Sequence, residues 1–228
     1  MLISGMVKSS LVDYPGLVAA VLFTPGCNYN CFYCHNRWLI NGIGDLIDLD
    51  VVRQFLSKRA GLLDGVVITG GEPTLQADLI PWMQEIKNLG YKIKLDSNGS
   101  SPQVIEDVLT SKLCDYFAID YKAPAARYAE FCGSNARAET VLETIDMLLS
   151  AGANFEVRTT VVPQLLEEDL VQMAKELPIV PRYVLNRYRL PDDYLPSDRS
   201  RILETPYTQE QIDGFVDVVH EWQPNSIK

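Results

Sequence analysis

Short apolar runs alternate with amphipathic segments along nearly all of this 228-residue chain. That alternation limits its possible folds more than any other feature. Buried strands separated by helical patterns of 10–15 residues are the mark of βα units around a parallel sheet. Residues 17–24 (LVAAVLFT) read as the first strand, followed by a helix over 50–59 with Asp48 or Asp50 as its N-cap. A short buried strand at 66–69 runs into Gly70-Gly71-Glu72-Pro73, and a helix over about 75–88 is closed by Gly90. Further strands are expected at 91–95, 116–120, 155–162 and 182–188. Helices are expected from Pro102 onward, over 137–150 up to Gly152, over 166–176 and over 208–222. Six such units fall short of the eight of a closed barrel. The expected fold class is therefore α/β, a partial (β/α)6 TIM-like barrel left as an open crescent. Its lateral mouth admits a large substrate, and one domain covers residues 1–228.

In such folds ligands sit at the carboxyl ends of the strands. The polar motifs fall there: a cysteine-rich loop, Gly70-Gly71-Glu72, Asp96-Ser97-Asn98-Gly99 and Asp120-Tyr121-Lys122. A net charge of −10 leaves no basic footprint for bare nucleic acid and suits docking against a basic face of another protein. Apolar stretches such as 17–23 and 65–68 are too short for a bilayer. No basic region with a small-residue cleavage site opens the chain, so a cytoplasmic protein is expected. Five cysteines in that compartment point to metal or redox chemistry rather than disulfides.

Three of the five lie in Cys27-Asn-Tyr-Asn-Cys31-Phe-Tyr-Cys34. Thiolates at C-x3-C-x2-C spacing hold three irons of a cubane cluster. Four cysteines are the normal complement, so three leave one iron open, as an open position distinguishes catalytic from structural zinc. The competing reading is a Cys3His zinc knot using His35. Zinc sites usually pair C-x2-4-C with a second pair far downstream, and His35 stands too close to Cys34 to turn easily toward the same metal. Cys114 and Cys132 are either further ligands or buried inert thiols; the second reading is preferred for both.

With Tyr33 before the last cysteine and Gly70-Gly71-Glu72-Pro73 one strand later, the chain resembles the radical S-adenosylmethionine superfamily over nearly its whole length. Ser10-Leu-Val-Asp13-Tyr-Pro15-Gly16, Cys34-His35-Asn36 and the Asp96–Gly99 turn resemble the activating enzymes of glycyl-radical proteins, nearest to those of anaerobic ribonucleoside-triphosphate reductase. The resemblance implies a [4Fe–4S] cluster on Cys27, Cys31 and Cys34, with S-adenosylmethionine chelating the open iron. One electron then cleaves the sulfonium C–S bond, and the resulting 5′-deoxyadenosyl radical takes a hydrogen atom from the substrate. The cofactors bring that chemistry, while the protein binds, orients and excludes side reactions.

The resemblance also implies site residues. Gly70 and Gly71 allow close backbone approach to the ligand, and Glu72 accepts from the methionine ammonium. Asp96 and Asn98 serve the ribose or methionine end, or form only an Asp-Asn-Gly turn. Lys122 meets the methionine carboxylate, with Asp120 beside it, unless the two are a solvated surface pair. Arg158, a costly charge within an apolar strand, either holds that carboxylate or pairs with Glu156 or another acid. Tyr33 and Trp38 shield the cluster, and Val161 and Val162 line the adenine or belong to the core. His35 carries a proton or supports the cluster, and Asn186 and Arg187 face the target. The implied partners are a glycyl-radical enzyme as protein substrate and a flavodoxin or ferredoxin as electron donor. The alternatives are the activase of pyruvate formate-lyase or of another glycyl-radical enzyme, a small-molecule enzyme of modified-nucleoside biosynthesis, or a non-catalytic metal protein.

Overall fold

The structure, a computed structural model, describes residues 1–42 and 44–228. Its contacts group into two compact units: Met1–Cys27 with Trp38–Ser97 and Gln103–Ala118, and Asn28–Arg37 with Asn98–Pro102 and Ile119–Lys228.

The first unit contains β1 (Gly5–Ser10), β2 (Ala19–Thr24), most of α1 (Arg37–Ile40), α2 (Leu49–Arg59), β3 (Gly65–Gly70), α3 (Leu79–Asn88), β4 (Lys92–Ser97), nearly all of α4 (Pro102–Ser111) and the start of β5 (Tyr116–Asp120). Strands β2, β3 and β4 run parallel, with Val21 opposite Val67 and Val67 opposite Lys94. Covered on both faces, β2 and β3 need apolar residues at successive positions rather than alternating ones. Ala19, Val21, Val67, Tyr14 and Tyr116 form one buried cluster there. Strand β1 pairs antiparallel with β2 and was not expected. Its Val7, Lys8 and Ser9 are exposed, so it carries no apolar run to betray it. Asp48, not Asp50, caps α2, accepting from the Asp50 amide at 2.9 Å. The helix expected over 75–88 is two pieces. A short 3-10 turn, Pro73–Leu75, is capped by the Glu72 side chain, and α3 begins only at Leu79.

The second unit holds α5 (Tyr128–Cys132), α6 (Ala138–Ser150), β6 (Phe155–Val161), α7 (Glu167–Glu176), β7 (Tyr183–Arg187), α8 (Arg199–Ile202), α9 (Gln209–Val219) and β8 (Ser226–Ile227). Parallel pairing sets Val157 opposite Tyr183 and Tyr183 opposite Ser226. Thr208 and Gln211 form a capping box that starts α9. That helix stops at Val219, short of the expected 222. Gln223 turns inward to donate to the Ala174 and Pro178 carbonyls, each at 3.0 Å, and accepts from Val180. Its amide thereby satisfies carbonyls at the end of α7 that have no helical partner. Among the described residues no helix is long and apolar enough to cross a membrane.

Candidate functional site

In the first unit the exits of β2 and β3 lie backbone against backbone. Gly71 N–H donates to Thr24 O at 2.9 Å and Glu72 N–H to Gly26 O at 2.7 Å. A Cβ on Gly70 would stand 2.3 Å from Thr24 N, and one on Gly71 2.0 Å from Gly26 O. Gly70 also has φ +125°, a region open to glycine. These glycines therefore have a structural role the sequence did not suggest: they seat the strand that delivers Cys27. Cys27 N–H is tied in turn to Ile40 O at 3.1 Å.

Glu72 is fully buried. Its Oε1 accepts from the Thr74 amide, the Thr74 hydroxyl and the Ser97 hydroxyl at 3.1, 2.7 and 2.8 Å. One carboxylate thus joins the exits of β3 and β4. Asp96 is paired at 2.6 Å with Lys94, whose side chain is only 2% exposed. The one signal for Lys94 in the sequence is its place two residues before Asp96, on the same face of the strand. Cys114 is half-buried within this unit and hydrogen-bonds to Tyr116 O, and desolvation pushes its thiol up to about 12.

In the second unit the cysteine loop lies along α5. Asn30 N–H donates to Cys132 O at 2.8 Å, Phe32 N–H to Phe131 O at 3.3 Å, and Cys34 N–H turns back to Cys31 O at 3.2 Å. The Cys132 thiol meets that of Cys31. This hydrogen bond lowers the Cys31 thiol, while burial and the Cys31 charge push Cys132 well up. Proximity in the fold, invisible in the spacing, gives Cys132 a cysteine neighbour. Burial raises Cys34. Tyr33 is buried, edge-on to Phe32 at 5.0 Å, and among the described residues its hydroxyl has no hydrogen-bond partner. Asn98 accepts from the Ser100 amide and donates to Asn28, at 2.9 Å each, and Asn28 donates to the Ser100 hydroxyl at 2.7 Å. The Asn-Gly turn is thereby fastened to the residue following Cys27.

Asp120, Lys122 and Arg158 come together. One Asp120 oxygen accepts from Lys122 Nζ at 2.9 Å and the other from Arg158 Nε at 3.0 Å. Arg158 thus found an acidic neighbour other than Glu156. Burial alone would raise the Asp120 carboxyl, but Arg158 and then Lys122 outweigh it and hold it well below the usual carboxylate range. Burial opposes the Lys122 charge, but Asp120 together with the Tyr33, Cys31 and Cys132 groups around it outweighs burial and raises it. Asp120 and Lys122 thus each favour their charged form at neutral pH. His35 donates through Nε2 to Arg189 O at 2.7 Å, since a carbonyl only accepts. Asn186 and Arg187 are exposed, and Arg187 donates to Tyr207 O. Val161 and Val162 are wholly buried.

Among the described residues no three His, Cys, Asp or Glu side chains converge as they do around one metal ion. A cubane presents a separate iron to each thiolate, so its ligands stand farther apart than those of a single ion. Three soft thiols in one loop suit iron–sulfur ligation. The orphaned, buried Tyr33 hydroxyl within this loop fits a bound group there.

Residues 21–177 match the Radical SAM superfamily, and the chain belongs to it. It is a radical SAM enzyme, and that family's cofactors are a [4Fe–4S] cluster and S-adenosylmethionine. A Methanocaldococcus jannaschii protein that carries the name of a glycyl-radical enzyme activating enzyme is 36% identical over 199 residues, covering 85% of this chain and 82% of that protein. A 7-carboxy-7-deazaguanine synthase of Koribacter versatilis is 28% identical over 148 residues, covering 63% of this chain and 62% of that one. Among solved structures, Streptococcus suis SuiB bound to S-adenosylmethionine superposes with TM-score 0.68 at 16% identity, over 89% of this chain and 48% of SuiB. The present chain thus spans about half of SuiB, and the likeness shows the fold, an α/β partial barrel of the expected class.

Proposed function

We propose that this protein is an activase that takes one Cα hydrogen from a glycine of a partner enzyme, and that the partner is the anaerobic ribonucleoside-triphosphate reductase. The observation that carries the activase reading is the 36% identity, along most of both chains, to a protein named for that role. Proteins of the same name from Haemophilus influenzae and again from M. jannaschii add to it. The choice of reductase rests on the run Val12-Asp13-Tyr14-Pro15-Gly16, where Tyr14 is buried and Leu11 and Val12 are exposed.

In this reading Cys27, Cys31 and Cys34 hold the cluster and leave one iron for S-adenosylmethionine. Gly70, Gly71 and Glu72 face its methionine ammonium, and Asp96 and Asn98 its ribose or methionine end. Lys122 and Arg158, fixed by Asp120, face its carboxylate, and Tyr33 covers the cluster. One electron from a flavodoxin or ferredoxin is consumed per turnover, giving methionine and 5′-deoxyadenosine and leaving the glycine one hydrogen short. Residues 1–228 act as one radical SAM domain in the cytoplasm.

The test is to mix the reduced, cluster-loaded protein anaerobically with S-adenosylmethionine and the reductase. The expected result is a glycyl-radical doublet in the reductase by electron paramagnetic resonance, with deoxyadenosine formation slow until the partner is added. A doublet in pyruvate formate-lyase alone would move the assignment to that partner. The likeness to 7-carboxy-7-deazaguanine synthase favours a second, small-molecule reading. Deoxyadenosine formation answering to a small metabolite and to no protein would select it.

A further inference from the structure

The segment that follows β7, residues 188–202, lies beyond the stretch matching the superfamily, yet it grips the cysteine loop. Tyr188, buried and with its hydroxyl directed to Ile202 O, stands edge-on to Tyr33 at 6.5 Å and tilted against His35 at 5.9 Å. Arg189 O accepts from His35. Asp198 pairs with Arg37 at 3.7 Å, and Arg37 in turn donates to Asn30 within the loop at 2.8 Å. Arg201 lies over the Phe32 ring, 3.6 Å from its centroid, with Glu130 of α5 3.6 Å from its guanidinium. Phe32 is flanked by Cys31, and its ring rests on Phe131 at 5.6 Å.

We propose that residues 188–202 form a clasp that holds the cysteine loop in its cluster-binding shape, with Arg201 on Phe32 and Asp198 on Arg37 as its two fastenings. None of these side chains is a ligand candidate, so the clasp acts through the loop. A cation seated on an aromatic face is worth most where water is excluded, and Phe32 is buried. Releasing it frees the segment between Cys31 and Cys34 to leave its place along α5. Arg201 is thus a positioning residue. The inference needs the cluster but no particular glycyl-radical partner.

The experiment compares Arg201→Ala, Arg201→Lys and Asp198→Asn with the parent, all loaded anaerobically with cluster. Iron release to a strong ferrous chelator should be about tenfold faster for Arg201→Ala, the scale of one desolvated cation–π contact, and about threefold faster for Asp198→Asn, whose ion pair is long at 3.7 Å and partly buried. Arg201→Lys, which keeps the cation, should restore most of the loss. In the metal-free proteins the amides of Asn30 and Phe32 should exchange faster with solvent, and be accelerated more than those of β6 and β7. Release and amide exchange within twofold of the parent in both the alanine and asparagine variants would overturn the clasp. So would acceleration shared equally by β6 and β7, which would mean general loosening.

Discussion

Cys31→Ala should reduce S-adenosylmethionine cleavage to background while the chain still folds. The side chain is buried, and its thiol contributes a hydrogen bond with Cys132 and a small apolar volume. Removing one buried thiol costs about 1–2 kcal/mol, less than a large-to-small change in a core. Loss of one of three thiolates leaves a cluster with two protein ligands, too few to hold it with one iron reserved for substrate. Iron and sulfide content after anaerobic reconstitution, with deoxyadenosine measured under reductant, reads both effects. Cys132→Ala is the informative companion, because the Cys132 thiol hydrogen-bonds with that of Cys31 and is a thiol outside the proposed ligand trio. The account expects it to keep cluster and cleavage. Cleavage surviving in Cys31→Ala but lost in Cys132→Ala would exchange their roles.

Gly71→Ala should be nearly as damaging, for a reason unconnected with electron transfer. The added methyl would lie 2.0 Å from Gly26 O, a backbone atom that cannot rotate away. That oxygen accepts the Glu72 amide, so relief of the clash breaks a hydrogen bond and displaces the residue before Cys27. Overpacking of about 1–3 kcal/mol and a lost hydrogen bond of about 1 kcal/mol together give about 2–4 kcal/mol. In a chain of this size that lowers the melting temperature by about 5–15 °C. Cluster content should fall with it. Gly214→Ala is the control: it lies within α9 with nothing near its Cβ position, and a helix interior gains about 0.5–1 kcal/mol from that change. Equal melting of the Gly71 variant and the parent would show that the seat is not tight.

Much of this was legible in the chain. Strand β5 begins and ends where its apolar run does, at Tyr116 and Asp120, because a strand covered on both faces leaves its whole length in composition. The charged group Asp120–Lys122–Arg158 was readable in outline for a related reason: a cation in an apolar strand requires a partner. What escaped notice depends on contacts between distant segments. Strand β1 is defined by its pairing with β2, not by its own exposed residues. The five-residue α5 is too short for any helical period, and so its Cys132, far along the chain, could not be linked to Cys31. Lys94 reads as a surface lysine until its strand is seen to be covered. The structural role of Gly70 and Gly71 required the path of Thr24 to Gly26, which no spacing rule contains.

The central claim is that three thiolates leave a fourth metal corner free for the sulfonium nucleotide. Iron-57 Mössbauer spectra of the loaded protein, recorded with and without S-adenosylmethionine, test it directly. The account predicts that one iron in four changes its signal when the nucleotide is added, and the other three do not. Four irons indifferent to the nucleotide would contradict it.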